Sequence, residues 1–275
     1  MIIFAPRPKG WLYEDGPNWL LEQYATSYLY SNTLLKSDKT LVIPSKSIGF
    51  GLDYKNRSPL EELTYAPDEA ENFANLTYGK AYTNANATLN LFKKEAPNAG
   101  IIHLALHGII DEKNPLNSTL LFTQSPEGDR LSAMEIYNMQ LKSGLAVLSA
   151  CNTGNGKLQR GEGIMSLARA FAFAGCPSMM VSLWSIPDAS TSEITKRFYE
   201  NIKAGMPKDI ALQQAKLAYF KGSTPEDTKP NNWAASVIIG DIEPIEIGYP
   251  WSWKIAIALS VLALGFGFYY KIVKK

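Results

Sequence analysis

Two short apolar runs end in side chains able to do chemistry. Ile101 to Gly108 reads Ile-Ile-His-Leu-Ala-Leu-His-Gly, and Leu145 to Gly154 reads Leu-Ala-Val-Leu-Ser-Ala-Cys-Asn-Thr-Gly. Runs of this length, closed by turn residues, predict buried strands. His107 and Cys151 then stand where two strands leave a sheet, and open parallel sheets bind ligands at their strand C-termini. The thiolate is the nucleophilic form of cysteine, and a histidine that titrates near neutrality is a suitable base for it. The pair points to Cys151 as nucleophile and His107 as its base. Gly108 permits close backbone approach, and the amides of Gly108 and Cys151 are candidate oxyanion donors, each worth about 2.7–4 kcal/mol by analogy with measured donors.

The remaining chemistry-bearing residues are weaker candidates. His103 lies inside its apolar run and reads as a satisfied core histidine. Cys176, between Gly175 and Pro177, reads as a small buried hydrophobe. Asp111, Glu162 and Asp188 fall in loops at strand ends, where they could line a pocket for a basic side chain. The competing reading has them capping helices or pairing with Arg130, Arg160 or Arg169, and Asp188 is a natural N-cap. Two histidines and two cysteines without paired ligand spacing build no zinc site. No metal and no organic cofactor are expected.

The elements that must position the pair alternate between strand and helix. Strands are predicted at 47–53, 101–107, 118–123, 145–150, 178–184 and 233–240. A helix opens at Pro67 with acids in its first turn and ends near Gly79. Asn86 is the expected cap of a second helix ending before Pro97. Ser132 with Glu135 matches a capping box for a helix to about Leu141. Gly163–Ala174 is apolar on nearly every side and should be buried, and two amphipathic helices follow near 188–204 and 207–221. Residues 19–35 read as short strands and turns. This succession predicts an α/β domain with a mainly parallel sheet flanked by helices.

The bulk properties exclude other classes. The 275 residues carry 46% hydrophobic and 19% charged side chains, a globular composition. A net charge of +1 with intermixed signs leaves no electrostatic footprint for nucleic acid. The N-terminus does not read as a signal peptide, because Pro6-Arg7-Pro8 interrupts the apolar start. Ile255–Tyr270 holds sixteen residues without a charge, flanked by Trp251, Trp253, Tyr269 and Tyr270 and by lysines. That pattern predicts a single C-terminal transmembrane helix over 251–273. Three lysines after Ile255–Tyr270 and one just before it lean towards a cytoplasmic C-terminus and an outward-facing domain.

The motifs also carry a resemblance. His-Leu-Ala-Leu-His-Gly, then Leu-Ser-Ala-Cys-Asn-Thr-Gly, closely resemble the CHAT domain, a relative of caspases and separases. The likeness continues through Gly161-Glu162-Gly163, Ser166-Leu-Ala-Arg-Ala-Phe, Ser182-Leu-Trp-Ser-Ile-Pro-Asp188, Phe198-Tyr199 and Trp233-Ala-Ala. The interval from His107 to Cys151 is close to the ~50 residues between His and Cys in caspases. The resemblance implies a caspase–hemoglobinase-like fold and a His107/Cys151 dyad peptidase. It also implies tetratricopeptide-type regulatory repeats outside this chain, and the Pro-Phe-Glu-like start of such domains is missing here. The expected layout is 1–46 as a truncated N-terminal part of the domain, 47–240 as catalytic core, 241–250 as linker and 251–273 as membrane helix.

The leading expectation is a membrane-anchored cysteine endopeptidase acting on protein or peptide substrates, with cleavage after Arg or Lys as a hypothesis. The alternative is a catalytically silent caspase-like signalling or interaction module. Acyl transfer to a non-peptide substrate would use the same dyad.

Overall fold

The computed structural model describes residues 20–29, 46–149, 162–222 and 229–247. Cys151 with its loop, and the apolar stretch 251–273, lie outside them. In chain order the elements are α1 (Leu20–Gln23), β1 (Ser27–Tyr28), β2 (Ser47–Gly51), α2 (Ala66–Thr77), β3 (Lys80–Thr83), α3 (Leu89–Glu95) and β4 (Ile101–Ala105). They continue with β5 (Gly108–Ile109), β6 (Thr119–Leu121), β7 (Arg130–Ser132), α4 (Ala133–Tyr137) and β8 (Leu145–Leu148). The last are α5 (Glu162–Phe173), β9 (Ser178–Ser182), α6 (Asp188–Lys203), α7 (Lys208–Gly222) and β10 (Ser236–Gly240).

Seven strands form one sheet in the order β1-β10-β9-β8-β4-β2-β3. All pairings are parallel except β10 with β9. The mainly parallel α/β architecture is as expected, and the antiparallel β10 is an addition. Strand order reverses between β2 and β4, since β3 lies outside β2 while β4 opens the run towards β8. Such a switch point leaves a crevice at the strand C-termini.

Both faces of the sheet are covered, which is why its strands read as continuous apolar runs. Ile48, Phe50, Ile102, Leu104 and Leu148 pack with Phe92 of α3, Ile136 of α4 and Leu167 and Phe171 of α5. Ile101, Leu145, Val147, Met180 and Ile238 pack with Phe73 of α2, Phe198 of α6 and Leu212 of α7. Glycine decides how closely α2 approaches. A Cβ at Gly51 would lie 2.2 Å from the Ala66 carbonyl oxygen, and one at Gly49 would meet the Phe73 ring at 2.8 Å. Both positions are therefore closed to larger residues, and the buried stripe of α2 sits directly against β2.

Several local expectations hold and others shift. The capping box is complete: Ser132 accepts from the Glu135 amide, and the Glu135 carboxylate accepts from the Ser132 amide. The α4 helix stops at Tyr137, short of Leu141, because the Leu141 amide donates instead to the Ala174 carbonyl at 2.7 Å. The α3 cap is Thr88 rather than Asn86, with its hydroxyl accepting from the Leu91 amide. Asn86 sits in a separate 3-10 turn. β4 ends at Ala105, so His107 lies beyond the sheet, where its carbonyl accepts from the Leu121 amide at 2.9 Å. That bond leads into a second, antiparallel sheet of β5, β6 and β7 capping the end of β4. Among the described residues no helix is long and apolar enough to cross a membrane.

Candidate active site

The switch point between β2 and β4 fixes His107 from three directions. Its amide donates to the Tyr54 hydroxyl at 2.9 Å, and that hydroxyl donates to the Leu121 carbonyl. The Tyr54 and His107 rings lie 4.4 Å apart. Tyr54 is itself held by Arg57, whose guanidinium sits 5.6 Å above the Tyr54 ring, pairs with Asp129 and donates to the Phe122 carbonyl at 2.6 Å. The third contact decides the chemistry: His107 Nε2 is 2.7 Å from the Glu61 carbonyl oxygen. A carbonyl only accepts, so Nε2 carries the proton and neutral imidazole keeps its lone pair on Nδ1. Burial holds the His107 pKa below the ordinary histidine range, and the Glu61 carbonyl works against that shift. The ring is thus neutral at neutral pH and can accept a proton.

His107 lines a cleft of about 400 Å³ together with Glu61, Ser149, Ser182, Asp188 and Asn231. Ser149 follows β8 and Ser182 ends β9, so three adjacent strand ends open into one space. The Ser149 amide donates to the Leu104 carbonyl at 3.1 Å, which keeps the β8 exit registered against the His107 strand. Cys151, the expected nucleophile, is two residues further on and lies outside the described residues.

The other sequence candidates separate clearly. Asp188 lines the cleft, but it does not cap its own helix. Pro187 occupies the N-cap, and Asp188 Oδ2 instead accepts from the Tyr65 amide at 2.7 Å. Burial raises its pKa and the Tyr65 amide opposes the rise. Asp111 stays in its own turn, accepting from the Lys113 amide at 2.9 Å and the Asn114 amide at 2.8 Å, and is not among the residues lining the cleft. The Asn114 contact is the main reason its pKa is lowered. Glu162 opens α5, with its side chain outside the described part. Gly108 begins β5 opposite Leu120, and a Cβ there would find its nearest neighbours at 3.9 Å, so the surrounding packing does not itself require glycine. Cys176 is buried, its thiol 3.2 Å from the Ser178 carbonyl and its pKa pushed up to about 12 by burial. Among the described residues no group of His, Cys, Asp and Glu could hold a metal ion.

His103 is fully buried, stacked on Phe73, with Nδ1 3.1 Å from the Tyr199 hydroxyl. Its Nε2 lies 3.4 Å from Glu69 Oε1, and neither atom has a hydrogen-bond partner of regular geometry among the described residues. Burial pushes the His103 pKa to about 3. Sequence reasoning passed over Glu61, Tyr54 and Glu69. Glu61 acts through its carbonyl, which any residue possesses, so no side-chain signal marks it. Glu69 was legible: it falls in the stripe Ala66, Glu69, Ala70, Phe73, Ala74 that α2 buries, and an acid in such a stripe calls for explanation.

Comparison with known proteins completes the picture. Over 110 residues, 40% of this chain, it is 32% identical to Tetratricopeptide repeat protein 28 of Homo sapiens and 30% identical to that of Mus musculus. The match spans only 4% of either relative. Among solved structures it is similar to the Arg-specific cysteine proteinase gingipain R, with TM-score 0.45 and 11% identity over 74% of this chain and 47% of that one. It is also similar to Saccharomyces cerevisiae separase in its complex with securin, with TM-score 0.46 and 14% identity over 73% of this chain and 12% of that one. The family model for the CHAT domain matches residues 7–241, and the chain belongs to that family.

Proposed function

We propose that this protein is a cysteine endopeptidase with a caspase–hemoglobinase-type catalytic core over residues 47–240, in which His107 and Cys151 form the dyad. The observation that carries the reading is the Glu61 carbonyl on His107 Nε2, which leaves Nδ1 as a base in the cleft that Ser149 also lines. In the proposed reaction Nδ1 takes the Cys151 proton and the thiolate attacks a peptide carbonyl. The imidazolium returns the proton to the leaving amine, and water then hydrolyses the thioester with His107 again as base. The amides of Gly108 and Cys151 are the assigned oxyanion donors. Asp188, half-buried in the cleft wall, is the assigned acid for an Arg or Lys side chain ahead of the cleaved bond.

The apolar stretch 251–273 is assigned as a membrane anchor, with the catalytic domain facing outward. Tetratricopeptide repeats are the assigned regulatory region of the longer protein; the naming of the curated relatives supports this. The test is hydrolysis of fluorogenic peptides varied at the residue before the cleaved bond. Release after Arg or Lys, abolished in Cys151→Ala, is the expected result. Hydrolysis unchanged in Cys151→Ala would remove the dyad. A Cys151 thiol inert to mild alkylation, with no hydrolysis of any peptide, would favour the silent-module reading.

A further inference from the structure

Beneath the cleft lies a buried polar cluster that the dyad chemistry leaves unused. Its centre is the Glu69 carboxyl on α2, 4% exposed. His103 faces it from β4, and the hydroxyls of Ser149 and Thr195 lie against it and ease its ionisation. Glu69 Oε1, His103 Nε2, Ser149 Oγ and Thr195 Oγ1 are all buried without a hydrogen-bond partner of regular geometry among the described residues. Buried polar atoms are nearly always paired, so four in one place call for an account beyond packing. Ser149 belongs to both places: it touches the buried carboxyl and lines the cleft. Asp188 lines the same cleft, and its charge works against ionisation of Glu69. Among the described residues neither acid forms an ion pair with Lys or Arg.

We propose that Glu69 is the second acid of a pocket for a cationic side chain, giving up its proton to solvent when a guanidinium or ammonium group enters beside Asp188. Asp188 then holds the cation at the cleft wall, while Glu69, which does not itself line the cleft, acts from behind Ser149, and the charge the cation brings balances the charge Glu69 acquires. This rests on the assignment of Asp188 to a basic side chain made above. Burial, with Asp188 adding to it, raises the Glu69 pKa to about 8, so the empty pocket holds Glu69 protonated at neutral pH. The groups around it do not compete for that proton. His103 is held neutral with a pKa of about 3, and burial raises Tyr199 well above the phenol range. His107 across the cleft is held below its ordinary value. β2 brings no titratable side chain, while on β3 Lys80 is exposed and Tyr82 stacks on Phe50 on the opposite face of the sheet.

The probe is N-butylguanidinium, titrated calorimetrically into the full chain at neutral pH in two buffers of different ionisation enthalpy. Wild type is expected to release about one proton per cation bound. Glu69→Gln should bind about tenfold more weakly and release none. Asp188→Asn should also bind more weakly, while any cation still bound continues to release a proton. Binding without proton release in wild type overturns the role of Glu69 while leaving the basic pocket intact, as does the same release from Glu69→Gln. Absence of any binding up to about 10 mM overturns both. The wild-type proton count needs no variant, so it decides the question even where Glu69→Gln fails to fold.

Discussion

His103 and His107 leave the same short run of chain four residues apart, yet their surroundings make them different reagents. His103 lies within β4 and faces α2 and α6, between Tyr199, Phe73 and Glu69, with no path to solvent. His107 lies past the strand end, beside Tyr54 and under the Glu61 carbonyl, in the wall of a cleft. Burial lowers the pKa of both, so both are neutral at neutral pH. A depressed imidazole pKa therefore does not by itself identify a base. Access and a partner that selects the tautomer do.

The comparison can be broken most directly by removing each ring in turn. His107→Ala should lower peptide hydrolysis by about 10²–10⁴-fold while leaving the unfolding midpoint close to wild type. His103→Ala should do the reverse. It strands the Tyr199 hydroxyl and empties the space against the Phe73 ring, costing roughly 3 kcal/mol in urea unfolding, with hydrolysis per folded molecule largely kept. Equal loss of hydrolysis in both variants, each folded, would erase the distinction.

Tyr54→Phe sharpens it from the side of His107. The variant keeps the ring contact but removes the acceptor for the His107 amide and the donor to the Leu121 carbonyl. Each stranded group costs about 1–3 kcal/mol. Stability should fall, and kcat should fall with little change in KM; a wild-type kcat would show that His107 is positioned without this hydroxyl.

The smallest effect is read from pH. In the unfolded chain the Glu69 carboxyl titrates near 4.5, and in the folded protein near 8. Between those values the folded state holds a proton that the unfolded state has lost, so stability falls as pH rises through that window. His103 acts from the other side. Its folded pKa of about 3 lies below 6.5, so its contribution is lost as pH falls through that range. Below about pH 6.5 the two contributions oppose one another, so unfolding midpoints should decline between about pH 6.5 and 8, a slope that flattens in Glu69→Gln. The same slope in both proteins would remove the buried acid from the balance.

Much of this arrangement was already readable in the chain, because it depends on neighbours in sequence. Apolar runs marked β4, β8 and β9, the Ser132–Glu135 spacing marked the start of α4, and a strand ending in His-Gly placed His107 at a sheet exit. The stripe that contains Glu69 follows from helical period alone. One local signal lost to a neighbour, Thr88 capping α3 two residues past Asn86, and another to a distant partner, Leu141 turning to Ala174 and leaving α4 short. Asp188 gave its carboxylate to Tyr65, 123 residues away, rather than to its own helix. The direction of β10 and the pairing of β5, β6 and β7 depend on which segments meet after the chain has travelled far from its local signals. The tautomer of His107 rests on a carbonyl 46 residues earlier, and side-chain identity carries no record of that contact. Residue type and period determined that two histidines would lie along this strand run; only tertiary contact decided which one lines the cleft and which tautomer it holds.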